Sequence, residues 1–179
     1  MIWVGSFQSL QSRLPKLSFK DAPLEVRTWV QSEIGQISPL VDWLMSLIAA
    51  SGSVRGEEQL VELALREALS NAMLHGNRGD ASKLVHVHCL CECGRGVSVV
   101  VRDQGRGFDP NKVPDPLAFE SLGAEHGRGI HLMKLAMDEV SFERGGTEVH
   151  MRKKLGREQE HRCNAPALCE RAEDTAPPR

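Results

Sequence analysis

The sequence predicts an α+β domain built from amphipathic helices and antiparallel strand pairs. Residues 57–75 contain neither Gly nor Pro and are rich in Leu, Ala and Glu, a composition that favours helix. Residues 84–102 and 140–153 each contain two strand patterns on either side of a glycine-containing turn, which is typical of hairpins. A chain of 179 residues is long enough to bury a proper core, and we expect it to form one domain.

Apolar spacing and turn signals predict further elements, namely a short edge strand at 16–19 and helices at 22–34, 39–50 and 130–139. Asp21 is the predicted N-cap of the first of these helices, because Pro23 follows early and Glu25 brings negative charge to the first turn.

The domain organisation follows from where these patterns begin and end. We expect a variable N-terminal segment at 1–15 and the folded domain at 16–155. Residues 156–179 are charged, aperiodic and contain Pro, so we expect a flexible tail there.

Composition excludes several classes of function. The 22 basic and 24 acidic residues give a net charge of −2, which does not provide the positive field of a nucleic-acid-binding protein. No run reaches the ~18 apolar residues that span a bilayer, and the first ten residues lack the basic region and cleavage site of a secretory signal. We therefore expect a cytoplasmic protein with no direct nucleic-acid or membrane partner.

Three cysteines, Cys89, Cys91 and Cys93, alternate along a predicted strand that also holds His86 and His88. A metal site is one interpretation of this cluster. However, a strand sends neighbouring residues to opposite faces and separates same-face residues by ~6.5 Å, which suits a single tetrahedral ion badly. We expect these cysteines to be small residues of the core.

Three polar residues of the central helix, Glu67, Asn71 and His75, recur at i, i+4 and i+8 along the edge of its apolar side. A carboxylate and an amide turned inward cost several kcal/mol each unless they are satisfied. These polar residues could cap a loop or pair with a nearby arginine. Alternatively, Glu67 and Asn71 face a polar ligand with a metal ion. Neighbouring alanines leave space for such a ligand.

A D-x-G-x-G motif, formed by Asp103, Gly105 and Gly107, follows the strand of residues 97–102. An acidic residue at the end of a strand, followed by glycines, places an acceptor beside backbone that a flat ligand can approach closely. An ordinary turn has the same pattern. Residues 110–126 then contain three prolines and little periodicity, which is typical of a functional lid or a disordered link.

Gly127, Arg128 and Gly129 directly precede the helix that Ile130 opens. Glycines at a helix N-terminus expose backbone N–H groups that suit a phosphate. The alternative interpretation of these glycines is a plain hinge. The motif is neither a Walker A motif nor a Rossmann fingerprint, because it lacks the GK[ST] ending and a surrounding parallel βαβ unit.

Taken in order, the three motifs resemble those of the GHKL ATPase superfamily, in particular the bacterial anti-sigma-factor serine kinases, over about residues 16–154. EALSNAMLHGN is similar to their N box, DQGRGFDP to their G1 box, GRGIHLMKLAMDEV to their G2 box and GGTEVHMRK to their last hairpin. The resemblance implies the Bergerat ATP-binding fold, a two-layer α/β sandwich whose mixed, mostly antiparallel sheet is covered on one face by helices. It also implies ATP and Mg²⁺ as cofactors.

The resemblance implies a role for each matching residue. Asn71 would coordinate Mg²⁺, and Glu67 would be the general base that takes the proton of a substrate serine. Asp103 would accept a hydrogen bond from the adenine amino group, and Thr147 would close the adenine pocket. The other matching residues would contact ATP, namely Gly105, Gly107, Gly127, Arg128, Gly129 and Ile130.

Length narrows the function within the superfamily. Residues 24–50 contain no His, which disfavours a histidine autokinase, and the chain cannot hold the transducer domains of gyrase-, chaperone- or repair-type relatives. The resemblance implies partner switching, in which the protein sequesters a sigma factor and phosphorylates a serine of a STAS-type anti-sigma-factor antagonist. The family often forms homodimers.

The alternative is a nucleotide-dependent binding module that holds its partner without kinase activity. Such a module needs Asn71 for ATP but has no need of a base. The presence of Glu67 therefore favours the kinase.

Overall fold

A computed structural model describes residues 2–11, 23–92, 94–109 and 128–155, and it contains a six-stranded sheet packed against helices. The strands are β1 (Ile2–Ser6), β2 (Leu24–Gln31), β3 (Leu84–Glu92), β4 (Gly96–Arg102), β5 (Glu139–Glu143) and β6 (Glu148–Lys153). The helices are α1 (Phe7–Gln11), α2 (Ile37–Ser51), α3 (Glu58–Ser70) and α4 (Arg128–Ala136).

The sheet order is β1-β2-β3-β4-β6-β5. Strands β1 and β2 pair in parallel, and the other neighbours pair antiparallel. The core lies between one face of this sheet and the helices, where buried side chains of β2, β3, β4 and β6 meet those of α2, α3 and α4. The predicted α+β fold, with a mixed and mostly antiparallel sheet, is confirmed.

The predicted helix at 22–34 is wrong, because Leu24–Gln31 is strand β2. Its buried residues alternate strictly, with Leu24, Val26, Thr28 and Val30 all facing the core. This period of two is the mark of a half-buried strand. The inward Thr28 hides the alternation, because a polar residue at a core position makes the sequence look aperiodic.

The predicted helix at 39–50 is confirmed as α2, which begins slightly earlier, at Ile37. Among the described residues, the stretch Ile34–Ser51 is also long and apolar enough to cross a membrane by length and composition, contrary to the expectation that no stretch is. In this structure it contributes to the core, since Leu40, Val41 and Leu44 are fully buried against the rest of the domain.

The central helix forms as predicted but changes its geometry halfway along the N box. Helix α3 ends at Ser70 and continues as a π-helical turn, Asn71–Gly76. Short π-helical segments inside α-helices occur frequently at functional sites. Helix α4 ends at Ala136, earlier than predicted, because Glu139 already belongs to strand β5.

Both predicted hairpins are confirmed, β3 with β4 and β5 with β6. Cys89 and Cys91 are buried on the inner face of β3 with their sulfur atoms 3.9 Å apart, as expected of core residues. His86 and His88 lie on the opposite face of the same strand, where they are less buried.

The N-terminal segment, for which the sequence offered no elements, contributes β1 and α1, and Phe7 and Leu10 reach the core. Several predictions fall outside the described residues, namely the strand at 16–19, the Asp21 cap, the lid at 110–126, Gly127, Cys93 and the tail at 156–179.

Candidate active site

A cavity of about 400 Å³ lies between α3 with its π-helical turn, the ends of β4 and β6, and α4. Its apolar wall includes Val101, Met133 and Phe142. The predicted site residues that line it are Asn71, Asp103, Gly107, Gly129, Ile130 and Thr147. A largely apolar cavity with a few convergent polar groups is the usual form of a small-molecule site.

Gly129, in the first turn of α4, lies directly against the N-box residues. A Cβ atom built on it would lie 2.7 Å from Glu67 Oε2 and 3.2 Å from Asn71 Nδ2. Glu67 and Asn71 are one helical turn apart and both are half-buried, so their polar ends meet the start of α4. The structure thus brings together the N-box and G2 motifs, which are distant in sequence.

Asp103, at the end of β4, is held on two sides by backbone. Its N–H donates to the Thr147 carbonyl (3.0 Å), and its Oδ1 accepts from the Gly105 N–H (2.6 Å). Burial raises the pKa of the Asp103 carboxyl, and the hydrogen bond from Gly105 opposes this rise. The carboxyl group is therefore a fixed, partly desolvated acceptor on the cavity wall.

The two glycines of the D-x-G-x-G motif lie in places where a side chain would clash with backbone. A Cβ on Gly105 would overlap the Gly76 carbonyl, and one on Gly107 would overlap the Gly145 carbonyl. Gly107 also has a positive φ of 74°, which other L-residues rarely adopt. These glycines hold the loop against the π-helical turn on one side and the β5–β6 turn on the other.

Thr147 lies where the β5–β6 turn meets this loop. Its hydroxyl donates to the Arg144 carbonyl (3.1 Å), and its methyl carbon would be 3.2 Å from a Cβ on Gly107. The residue thus reaches the cavity beside Asp103.

Three predicted site residues do not line the cavity in the described part of the chain. Glu67 lies behind Gly129 and Gly105 is enclosed between loops, while Arg128 is exposed at the first residue of α4.

Sequence reasoning missed several residues of this site. Gly76 lies so close to the Asp103 carboxyl that a Cβ would overlap it. Arg78 and Arg106 also line the cavity, and Arg78 has an unusual positive φ of 60°. Gly76 directly follows the helical pattern and was readable as a stop signal, whereas no pattern in the sequence distinguishes the two arginines from surface residues.

Comparison with known proteins agrees with this geometry. The family model of the histidine kinase-like ATPase domain matches residues 30–153, which include the end of β2, strands β3 through β6 and every motif of the site. The chain belongs to the histidine kinase-like ATPase family. The GHKL membership that the three motifs indicated is therefore confirmed, and the domain is of an ATP-binding type.

Within this family, the chain is similar to proteins named anti-sigma F factor. Those of Bacillus cereus, Bacillus thuringiensis and Bacillus mycoides are each 34% identical to it over 119 residues. The alignments cover 63% of this chain and 76% of each relative. The resemblance to the anti-sigma-factor group is thus confirmed at the level of the family and of its named relatives.

Proposed function

We propose that this chain is an anti-sigma factor and an ATP-dependent serine protein kinase. The observation that carries the proposal is the meeting of Glu67 and Asn71 with Gly129 beside a cavity that also contains Asp103. This arrangement brings the Glu67 carboxylate and the Asn71 amide to the N-terminus of α4. The Asp103 carboxylate, which can accept a hydrogen bond from a nucleobase, lies in another part of the cavity. A protein that transfers phosphate from ATP needs both.

The residues present fit Mg-ATP. The Asn71 amide oxygen is an oxygen ligand of the kind that Mg²⁺ prefers. A side chain at Gly129 would crowd Glu67 and Asn71, so the glycine leaves the space beside them free. When bound, Mg²⁺ supplies charge neutralisation for the phosphates. Asn71 would hold the ion. The four residues that would bind the phosphates, through backbone N–H groups and the Arg128 charge, are Gly127, Arg128, Gly129 and Ile130.

At the other part of the cavity, Asp103 would accept a hydrogen bond from the adenine amino group. The carboxyl is already fixed by the Gly105 N–H and through the Thr147 carbonyl, so little ordering is needed when the base binds. Gly107 and Thr147 would form the wall against which the base lies.

Glu67 would act on the substrate protein. Its carboxylate would orient the incoming serine hydroxyl and accept its proton as the oxygen attacks the terminal phosphorus of ATP. The bond between that phosphorus and the bridging oxygen breaks, and ADP leaves. Since phosphoryl transfer depends on positioning and charge, no covalent enzyme intermediate is required.

The partners follow from the relatives, which are named anti-sigma F factor. We propose that the chain sequesters a sigma factor and that its phosphorylated serine belongs to a STAS-type antagonist, which then releases the kinase. The proposal includes a cytoplasmic location and leaves a homodimer as the natural assembly to test.

The alternative is a nucleotide-dependent binding module without kinase activity. The position of Glu67 argues for the kinase, because its Oε2 lies beside the same glycine as the Asn71 amide. A module that only binds ATP has no use for a carboxylate next to the phosphate site, where it repels the phosphates.

The proposal predicts that binding and transfer separate at these two neighbouring residues. Asn71→Ala should lose Mg-dependent ATP binding, because the proposed metal ligand is gone. Glu67→Gln keeps the size of the side chain and removes only its charge and its capacity as a base, so ATP binding should persist. Titration calorimetry with Mg-ATP, with Glu62→Gln on the outer side of α3 as the matched control, measures both. Equal loss of ATP binding in the Asn71 and Glu67 variants would contradict the division of roles.

A further inference from the structure

The loop that carries Asp103 is fastened to the rest of the domain by a fully buried asparagine. Asn77 follows the π-helical turn and has no exposed surface. Its Oδ1 accepts from the Gln104 N–H (2.8 Å), and its Nδ2 donates to the Leu84 carbonyl (3.1 Å). Its own N–H donates to the Ala72 carbonyl (2.8 Å) inside the π-helical turn.

Gln104 closes the same network from the other direction. Its side-chain Oε1 accepts from the Leu84 N–H (2.8 Å). Leu84, the first residue of β3, is thus bonded through its carbonyl to Asn77 and through its N–H to Gln104. We name these three residues, Asn77, Leu84 and Gln104, the G1 clamp.

The G1 clamp requires an amide at position 77. The side chain must accept from one backbone group and donate to another, and a carboxylate cannot donate while an apolar residue can do neither. A buried backbone group left without its partner is costly. The two partners also fix the orientation of the amide, because the Gln104 N–H can only meet oxygen.

The G1 clamp lies next to Asp103 in the chain, so it also affects how the Asp103 carboxyl is held for nucleotide recognition. The Asp103 N–H is bonded to the Thr147 carbonyl on the β6 side, and the next N–H along the chain, that of Gln104, is bonded to Asn77 on the other side. The two peptide groups that flank Asp103 are therefore both held by hydrogen bonds. Gly76, the residue before Asn77, leaves room for the carboxyl group, because a Cβ at this position would overlap it.

We propose that Asn77 and Gln104 are positioning residues that set the adenine selectivity of the cavity by holding the Asp103 carboxyl in place. The inference rests on the proposed function, since it takes Asp103 as the acceptor for the adenine amino group. It adds two residues that do not line the cavity. A purely structural role would stabilise the fold without affecting which purine is preferred.

The test compares ATP with purine riboside triphosphate, which is ATP without the 6-amino group. Titration calorimetry gives the dissociation constants of both nucleotides for the wild-type protein and for Asn77→Ala, Gln104→Ala and Gln104→Glu. Gln104→Glu retains an oxygen that can accept from the Leu84 N–H. Ser82→Ala is the matched control. It removes a hydrogen bond to Asp80 in the loop between Asn77 and Leu84, and neither residue belongs to the G1 clamp.

The wild-type protein should prefer ATP by about tenfold or more, the usual worth of a hydrogen bond to a charged group. That preference should fall at least about fivefold in Asn77→Ala and Gln104→Ala, and persist in Gln104→Glu and Ser82→Ala. Gln104 is exposed, so its variants decide the matter if thermal unfolding shows that Asn77→Ala does not fold.

Two results would overturn the inference in different ways. An unchanged preference for ATP in both alanine variants would mean that the clamp only stabilises the fold. Equal binding of both nucleotides by the wild-type protein would mean that Asp103 does not read the amino group, which would overturn the inference together with the adenine part of the proposed function. Serine kinase activity would then still be measurable separately by phosphate transfer.

Discussion

Gly129 is the residue at which the two halves of the candidate phosphate site touch. A methyl group there would lie 2.7 Å from Glu67 Oε2 and 3.3 Å from Asn71 Oδ1, closer than side chains normally approach. Both polar groups would have to turn away from the positions that the proposed chemistry requires. The proposed phosphate site therefore requires a glycine at position 129 as well as the side chains of Glu67 and Asn71.

Gly129→Ala should consequently lose function without losing stability. We expect ATP binding to weaken by about tenfold, the equivalent of one lost polar contact. Alanine is a better helix former than glycine by up to about 1 kcal/mol, so the variant should be as stable as the wild type or slightly more so. Calorimetric titration and urea unfolding measure the two effects. Gly35→Ala is the control, because a Cβ at Gly35 meets nothing within 4 Å; wild-type ATP binding by Gly129→Ala would contradict the proposed site.

Asp103 should lower the free energy of unfolding of the nucleotide-free protein, because its carboxyl group is partly buried. Burial raises the pKa of its carboxyl in the folded state, so the native protein binds this proton more tightly than the unfolded chain does. Ionised Asp103 therefore lowers the free energy of unfolding. This loss of stability is complete above the folded-state pKa of Asp103, and it disappears as the pH falls below the unfolded-state pKa.

Asp103→Asn should therefore gain stability relative to the wild type as the pH rises through that window. Urea unfolding at a series of pH values measures the difference. Asp80→Asn is a control of opposite sign, because hydrogen bonds from Ser82 lower the pKa of the Asp80 carboxyl, and its contribution is lost as the pH falls. A stability difference for Asp103→Asn that grows toward acid pH would contradict the proposed environment of this group.

Among the elements, α3 and α4 are tied to the sheet by one lysine. Lys153, on β6, is only 7% exposed, and its ammonium lies 2.8 Å from Glu57 Oε2 and 3.5 Å from Asp138 Oδ1. Burial opposes the charge, but the two carboxylates outweigh it and the pKa of Lys153 is raised. Glu57 immediately precedes α3, and Asp138 joins α4 to β5, so one cation connects both helices of the site.

Removing the Lys153 ammonium and removing its two carboxylate partners should lower the free energy of unfolding by different amounts. Lys153→Met leaves two carboxylates that are 42% and 39% exposed and stay solvated, so we expect a loss of about 1 kcal/mol or less. The double variant Glu57→Gln with Asp138→Asn leaves the buried ammonium without compensation and should cost about 3 kcal/mol. Chemical denaturation of the three proteins measures both losses. A greater loss for Lys153→Met would show that the carboxylates are not solvated as the structure has them.

The elements also differ in how much of them was predictable. Helices α2 and α3 and both hairpins follow from periodicity, because their apolar residues repeat without interruption. Strand β2 was mistaken for a helix because Thr28 occupies an inward position and Pro23 imitates a helix start. The π-helical turn Asn71–Gly76 was not predictable either, since no local pattern in the sequence distinguishes π from α geometry.

At the scale of the whole molecule, the sheet brings together motifs that are far apart in the chain. Asn71, Asp103 and Thr147 come from three separate motifs and line one cavity. Their identities were predictable because the order and spacing of the motifs resemble those of one superfamily. The parallel strand β1 and the contribution of Asn77 were not, because the pairing partner of an edge strand and the partner of a buried amide are set by tertiary contacts that no local pattern records.

The most direct test of the proposed kinase is the intact mass of an antagonist-type protein after incubation with this chain and Mg-ATP. We expect the antagonist to gain the mass of one phosphoryl group on a serine, and this gain to disappear with Glu67→Gln although that variant still binds ATP. No gain on any antagonist, with ATP bound by the wild-type protein, would contradict the kinase and leave the nucleotide-dependent binding module. A gain that persists with Glu67→Gln would contradict the assignment of the base.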